Sequence, residues 1–276
     1  MGKKVSVYSV VRIILICLVV ACVVVPLCIL FFESVKPDTE LYNNPRILPS
    51  KFNWKNYQAI FSNAANLSYL KNSLIVTIVS TFVTVILGSM AAYGLSRLRF
   101  GKMVVLITGI IVLVRFYPKI VIVLPYFILM RHLHLLDTLF ALIITHTSIY
   151  LPLTVLLMTT FYQEVPKEIE EASRIDGASV YATFFKIVMP ITISGMAATA
   201  ILTALSSWNE FLLASSLSSM RAKTIPIAIA SFVTDKGMDW GGMAAFSMVA
   251  VIPMIIVVFC TQKLLIRGLT AGAVKG

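Results

Sequence analysis

Five segments of the chain contain no Asp, Glu, Lys or Arg and are long enough to cross a lipid bilayer as helices. They are Ile13–Phe32, Ser73–Ser96, Thr138–Gln163, Ile187–Asn209 and Trp240–Gln262. A helix rises about 1.5 Å per residue, so roughly 20 apolar residues cover ~30 Å of hydrocarbon. The runs are continuously apolar and lack the alternation of barrel strands. Only 13% of the residues are charged, about half of what a soluble domain carries. Membrane-spanning helices are therefore favoured.

A sixth candidate span, Met103–Met130, is interrupted by Arg115 and Lys119. We therefore predict an all-α integral membrane protein with six transmembrane helices. They are placed at about 11–33, 71–96, 103–130, 138–162, 191–214 and 240–262, with outer loops at 34–70 and 215–239, a cytoplasmic loop at 163–190 and a tail at 263–276. Basic residues are modestly enriched on the segments that this topology places inside. A multi-pass protein with both termini in the cytoplasm is expected.

Several function classes are disfavoured by what the chain lacks. The net charge of +11 comes from basic residues that flank the apolar runs, so lipid headgroups are a better partner than nucleic acid. The four cysteines lie within predicted spans, and His132, His134 and His146 have no ligand companions at metal spacing. No catalytic triad, paired carboxylates or glycine-rich phosphate loop is found. We expect a non-enzymatic chain with no metal or cofactor of its own.

The charged stretch Glu168–Pro190 stands out between two apolar runs. Pro166–Ile175 is typical of a helix, Asp176-Gly177 of a helix end, and Ala178 begins a second helix that is expected to stop at Pro190. Glu168 and Glu171, three residues apart, share a face of the first helix. The plain alternative is a solvated connector, stabilised by an internal Glu171–Arg174 pair.

This stretch resembles the cytoplasmic EAA loop of ABC-importer permeases. The matching residues are Glu171-Ala172-Ser173, Gly177, Ile187 and Pro190, with Ser173 in place of the second alanine and Met189 in place of a leucine. Further resemblance to the carbohydrate-importing branch lies in Asn72-Ser73, Arg97–Phe100, Leu135–Thr138, Trp208-Asn209-Glu210-Phe211 and the terminal RGLTAGAVKG. That ending is similar to the smaller permease of maltose-type systems.

The resemblance implies the type I importer fold, with a coupling helix in the loop between helices 4 and 5 that docks on an ATPase. The implied coupling residues are Glu168, Glu171, Ala172, Ser173, Asp176, Gly177, Ile187 and Pro190. A second ATPase contact is implied for the tail residues Gly268, Leu269, Thr270, Gly272 and Lys275. The implied partners are a second, homologous permease, a dimer of ATP-binding subunits that carries ATP and Mg, and an extracytoplasmic solute-binding protein in a prokaryotic cell membrane.

The substrate pathway is predicted from cations and aromatic side chains. Arg115 lies near mid-bilayer and Lys119 on the same face of one expected helix, which Pro118 and Pro125 would kink. Cations at that depth face protein or water, and aromatic rings stack on sugars. The candidate residues are Arg115, Tyr117, Lys119, Tyr150, Trp208, Asn209 and Glu210, with Tyr93 and Tyr126 as further aromatic candidates. Alternatively, Arg115 pairs with an acidic group on another helix or subunit, Lys119 reaches the interface, and the aromatic residues are packing.

The resemblance implies the permease subunit of an ATP-driven sugar importer that works by alternating access. An anionic substrate, such as an acidic oligosaccharide or glycerol-3-phosphate, is an alternative within the same class. A self-contained secondary transporter is an alternative of a different class, and it would require acidic residues within the spans. A purely structural scaffold is a third. The sequence leaves the identity of the sugar open.

Overall fold

The computed structural model describes residues 7–43, 46–97, 101–235 and 237–271, and this part of the chain is mostly helical. The helices are α1 (Val7–Val35), α2 (Asp38–Tyr42), α3 (Lys55–Ser62), α4 (Ala64–Arg97), α5 (Gly101–Phe116), α6 (Lys119–His132), α7 (Leu139–Gln163), α8 (Lys167–Ile175), α9 (Val180–Thr183), a π-helical turn (Phe184–Val188), α10 (Met189–Ile191), α11 (Ile193–Trp208), α12 (Leu212–Leu217), α13 (Ile225–Ala230) and α14 (Trp240–Ala271). The short strands β1 (Val233–Thr234) and β2 (Gly237–Met238) form an antiparallel hairpin between α13 and α14.

Four helices in the described residues can each cross a membrane alone: α1, α4, α7 and α14. Two further spans are possible if each of two bent pairs counts as one, which gives up to six. One pair is α5 with α6, bent by 93°, and the other is Val180–Ile191 with α11, bent by 79°. The expected single helix Met103–Met130 is therefore two helices, because Pro118 adopts an extended backbone before α6.

The expected fifth span, 191–214, also differs from the structure. Its helix α11 ends at Trp208, and residues 209–211 separate it from the short helix α12. The second predicted span begins earlier than expected, since α4 starts at Ala64. The early end of α11 moves Glu210 out of the predicted transmembrane helix and into the break that follows it.

The chain divides into two compact units, each with its own contacts. One unit comprises the residues up to Leu67 together with Ile229–Ile252. In it the amide of Asn53 donates to the carbonyl of Val35 at 2.7 Å, and the hydroxyls of Ser34 and Tyr57 lie 2.8 Å apart, so α3 is fastened to the end of α1. Most of α1 is apolar and exposed. A face of this kind requires a lipid or protein environment.

The other unit comprises Ser68–Ala228 together with the residues from Pro253 onward. One of its cores centres on Tyr93 of α4, Tyr162 of α7 and Phe184 of the π-helical turn, whose ring centroids are 4.9 to 6.0 Å apart. A second core joins α4, α6, α7 and α12 through Val76, Met130, Ala141, Leu142, Ala214, Leu217 and Ala222. The first core lies directly beneath the charged loop that the sequence singles out.

Small residues set the helix spacing around α7. A Cβ on Gly195 of α11 would overlap the ring carbons of Phe161, and a Cβ on Gly88 of α4 would lie 2.5 Å from Cγ2 of Thr154. Both glycines therefore permit a close approach of backbones, which is the common way in which helices pack in a membrane. Thr154 also meets Thr203 of α11, with their hydroxyl oxygens 3.3 Å apart.

The corner between α6 and α7 holds a later loop in place. Asp137, with a φ of 58°, accepts backbone N–H bonds from Ser219, Met220, Arg221 and Ala222 at 2.9 to 3.1 Å. Burial opposes ionisation of this carboxyl, but the four backbone donors outweigh it and hold the pKa of Asp137 well below its usual range.

The start of the long helix α4 holds the same loop from a second side. Asn72 donates to the carbonyls of Arg221 and Lys223, at 2.8 and 2.9 Å. The Ser73 hydroxyl accepts from the amide of Ile225 at 2.8 Å. Two of the sequence signatures noted above, Asn72-Ser73 and Leu135–Thr138, thus act together in fixing one loop.

Candidate functional site

The charged loop folds as two helices separated by a glycine. α8 follows Pro166 and ends at Asp176, and Gly177 has a φ of 83°, the left-handed region that favours glycine. The amide of Ala178 donates to the carbonyl of Ser173 at 3.0 Å, which closes the helix end. The second helix then runs from Val180 through the π-helical turn to Ile191. It ends one residue beyond the expected stop at Pro190, and a bend of 79° separates it from α11.

Most of the predicted coupling residues lie on the surface of this loop. Those exposed are Glu168, Glu171, Ala172, Asp176, Gly177 and Pro190, while Ile187 is half-buried. Ile175 and Tyr181, which the sequence did not single out, are 86% and 73% exposed. Glu171 forms no ion pair with Arg174, although the structure describes both residues. The exposed face therefore combines carboxylates with large apolar side chains.

Two residues of α8 face inward, and one of them, Ser173, belongs to the predicted coupling set. Ser173 is buried, and its hydroxyl lies 2.8 Å from that of Thr183, so it braces α8 against α9. Glu170, absent from the predicted set, is also buried. Its carboxylate contacts Arg97 and Tyr93 of α4. Sequence reasoning missed Glu170 because its partners lie more than 70 positions away in the chain.

A second candidate site is a cavity of about 350 Å³ at the bend between α5 and α6. Its polar lining consists of Arg115, Tyr117, Lys119, Tyr126 and Ser148. The prediction that Arg115 and Lys119 share one helix face is wrong, because the helix breaks between them. The bend nevertheless turns both cations towards the same cavity.

Neighbouring hydroxyls and rings order one of the two cations. The ammonium of Lys119 lies 3.4 Å from the hydroxyl of Tyr150 and 5.1 Å from the centre of its ring, a cation–π geometry. Tyr126 and Ser148 are joined by a 2.6 Å hydrogen bond. Within the described ranges no carboxylate lies within 4 Å of the Arg115 guanidinium. The expected alternative of an acidic partner within this chain is therefore not found there.

Comparison of the sequence with known protein families shows to which family this chain belongs. Residues 84–271 match the sequence profile of the binding-protein-dependent transport system inner membrane component. The chain belongs to this family. The permease is 36% identical over 263 residues to the trehalose transport system permease protein SugB of Mycobacterium tuberculosis, covering 94% of this chain and 95% of SugB. It is 33% identical to the sulfoquinovosyl glycerol permease SmoH of Agrobacterium fabrum, covering 90% and 87% of the two chains.

The fold is shared with solved importers. A chain of a bacterial ABC transporter that imports the acidic polysaccharide alginate matches with a TM-score of 0.79 at 20% identity, over 95% of this chain and 98% of that one. A chain of the MetNI methionine transporter matches with a TM-score of 0.62 at 18% identity, over 73% and 95%. The predicted all-helical membrane fold of the type I importer class is confirmed. The permease is a non-catalytic membrane subunit of an ABC importer.

The side chains of the Trp208-Asn209-Glu210 segment make contacts within the permease chain itself. Trp208 and Glu210 are each only 4% exposed. The Glu210 carboxylate accepts the amides of Leu213 and Ala214, at 3.1 and 2.9 Å, and lies 3.7 Å from Nε2 of His146. Both oxygens of Glu210 are therefore engaged within this chain, at the start of α12. The amide of Asn209 donates to the Leu205 carbonyl, which caps α11.

The remaining predicted site residues are a buried tyrosine and the residues near the end of the chain. Tyr150 is 5% exposed and donates to the carbonyl of Ser206 at 2.7 Å, so its hydroxyl is already engaged. Gly268, Leu269 and Thr270 lie in the helical backbone of α14. Gly272 and Lys275 lie outside the described residues. Of the described part of the chain, no group of three or more His, Cys, Asp or Glu residues could hold a metal.

Proposed function

We propose that this permease is one of two membrane subunits of an ATP-driven, binding-protein-dependent importer of an oligosaccharide. The observation that carries the proposal is the 36% identity to a trehalose permease along 94% of the chain. A trehalose/maltose permease, MalG of Thermococcus litoralis, is 35% identical over 76% of each chain and supports the same substrate class. The partners are a second, homologous permease, a dimer of ATP-binding subunits with bound ATP and Mg, and an extracytoplasmic solute-binding protein.

The exposed face of the charged loop is proposed to dock on an ATP-binding subunit. Glu168 and Glu171 supply negative charge, and Ile175 supplies an apolar side chain that is 86% exposed in this chain. A protruding apolar side chain beside carboxylates is typical of a protein contact surface. This assignment places the loop and both termini in the cytoplasm of a prokaryotic cell. The tail residues 268–275 are proposed as a second contact.

In the proposed cycle, ATP closes the two ATP-binding subunits and moves the docked loop. The permease pair then switches from inward-open to outward-open, and the binding protein releases its sugar into the cavity between them. The permease binds its partner subunits and transmits the movement of the docked loop to the membrane helices, and the ATP-binding subunits hydrolyse ATP. A ligand acts on such an equilibrium only through its different affinity for the two states.

The proposal is tested by reconstituting the complete importer in liposomes. Candidate sugars are first screened for the one that raises the melting temperature of the cognate binding protein. Uptake of that sugar should require ATP on the side of the ATP-binding subunits and binding protein on the other. Uptake by this chain alone, without the ATP-binding subunits, would establish a secondary transporter and overturn the proposal.

An anionic carbohydrate is a second candidate substrate, and the cavity at the α5–α6 bend favours it. Arg115 and Lys119 place two cations beside tyrosine and serine hydroxyls in a space of about 350 Å³. Guanidinium and ammonium groups bind carboxylate, sulfonate or phosphate groups through charge-assisted hydrogen bonds. Hydroxyl groups of a neutral sugar can accept from the same donors, but each such hydrogen bond contributes less binding free energy.

Replacing Arg115 with glutamine is the test of this second candidate. A charge-assisted hydrogen bond contributes about 1.5–3 kcal/mol, so KM for uptake of an anionic sugar should rise by roughly 10–100-fold. KM for a neutral sugar should change little. Arg131→Gln, which alters an exposed arginine outside the cavity, is the matched control. Unchanged KM for an anionic sugar, or loss of assembly with the second permease and no other change, would contradict a role in the pathway.

A further inference from the structure

Glu170 is the one carboxylate of α8 that points into the bundle. It is 4% exposed, whereas Glu168 and Glu171 on the same helix are exposed. Its Oε1 accepts hydrogen bonds from Nε and Nη2 of Arg97, at 2.7 and 2.5 Å. Its Oε2 accepts from the hydroxyl of Tyr93 at 2.8 Å. Both carboxylate oxygens are therefore engaged with α4.

Arg97 makes three contacts near the start of α8. Besides Glu170, Nη2 of Arg97 donates to the carbonyl of Val165, at 3.3 Å, immediately before α8. Its guanidinium also lies 5.8 Å from the centre of the Tyr93 ring. Arg97 ends α4 and Glu170 lies in the first turn of α8. Each charge thus lies at the helix end whose dipole stabilises it.

Among the residues that the structure describes, few other side-chain bonds join α8 to its surroundings. The Ser173–Thr183 hydroxyl pair braces it against α9 at 2.8 Å. The Tyr93, Tyr162 and Phe184 rings pack beneath, with Tyr93 shared by the aromatic core and the ion pair. Within the described part of the chain, Arg97, Tyr93 and Glu170 thus form the polar side-chain connection between α8 and the long helix α4. An arginine–carboxylate contact of this kind is directional and fixes relative orientation as well as distance.

We propose that Glu170, Arg97 and Tyr93 form a positioning cluster that passes displacement of α8 to α4. This inference rests on the proposed docking of the loop on an ATP-binding subunit, and it separates two carboxylates by role. Glu171 contacts the partner, and Glu170 holds the docked helix to the bundle. Without the cluster, α8 can still dock, but its movement is transmitted less completely to the membrane helices.

The experiment measures sugar imported per ATP hydrolysed by the complete importer in liposomes. For Glu170→Gln, the ATP-binding subunits should still co-purify and ATP hydrolysis should persist. The sugar-to-ATP ratio should fall by about tenfold, in the range seen for residues that couple distant sites. Arg97→Gln should lower the ratio similarly, and the double variant should be no worse than either single variant, because the two residues act as a pair.

Controls distinguish this cluster from general instability and from failure of the proposed function. Glu164→Gln, an exposed carboxylate before α8, should leave the ratio unchanged. If Glu170→Gln fails to accumulate in the membrane, Tyr93→Phe removes only one hydroxyl and should lower the ratio by about threefold. An unchanged ratio in the variant that folds, or loss of ATPase co-purification instead of coupling, overturns the inference. Lack of ATP-driven uptake by the wild-type complex overturns the proposed function instead.

Discussion

Replacing Glu171 with lysine is expected to abolish assembly with the ATP-binding subunits and, with it, sugar uptake. Glu171 is exposed and has no ion-pair partner among the described residues. Its carboxylate is therefore available to a basic or backbone donor on another protein. Two such bonds of about 1.5 kcal/mol each, lost together, weaken binding by at least roughly 100-fold, and a reversed charge adds repulsion.

The measurement is co-purification of the ATP-binding subunits with tagged permease in detergent, followed by uptake in liposomes. Glu164→Lys makes the same charge change at an exposed position one turn before α8, and it should retain both assembly and uptake. The melting temperature of the purified permease should be unaffected by either variant. Retained assembly in Glu171→Lys would show that the loop docks through other residues or not at all.

Replacing Gly195 with leucine should strongly destabilise the permease at the α7–α11 contact. Even a single Cβ at this position would overlap the ring of Phe161, including Cγ, which lies close to the α7 backbone and cannot move away freely. Overpacking of this kind costs typically ~1–3 kcal/mol and occasionally more. For a side chain as large as leucine, the cost of overpacking is expected to exceed the roughly 1 kcal/mol that the helix gains when its glycine is replaced.

Thermal unfolding in detergent provides the measurement, with Gly94→Leu as the matched control. A Cβ on Gly94, also within a helix, would meet nothing within 4 Å, so that variant should be neutral or slightly stabilised. Combining Gly195→Leu with Phe161→Ala should restore part of the lost stability, because the second change removes the overlapping ring. A melting temperature for Gly195→Leu equal to that of the wild type would show that the helices separate more easily than their packing indicates.

The helical membrane fold could be predicted because its cause is local. In hydrocarbon each backbone N–H and C=O must find a partner within its own segment, so a long uncharged run forms a helix whatever surrounds it. The helix–glycine–helix plan of the charged loop was equally local, since Gly177 adopts the positive φ that its position demands. The break at Pro118 was placed less well, because proline permits either a kink or a full turn. The break after Trp208 has no proline or glycine in residues 209–211 to signal it.

The side chains of the candidate sites were predicted less well because their environment is assembled from distant segments. Glu168, Glu170 and Glu171 are chemically equivalent in sequence, and only Arg97 and Tyr93, 73 and 77 positions away, distinguish the middle one. Glu210 had the charge expected of a pathway residue, but the amides of α12 and His146 engage it. Arg115 and Lys119 meet in one cavity for a different reason from the one predicted.

The sequence alone determined that the membrane is the main solvent of this permease. It also placed the charged stretch Glu168–Pro190 between two apolar spans, and both results follow from the free energy of placing charge in lipid. It also carried the signature by which the family is identified. Only the tertiary structure decided which carboxylate of α8 faces out and which faces in. The reason is physical: burial of a charge is tolerated only where a partner waits, and Arg97 reaches Glu170 solely because the α4 and α8 ends meet in the folded bundle.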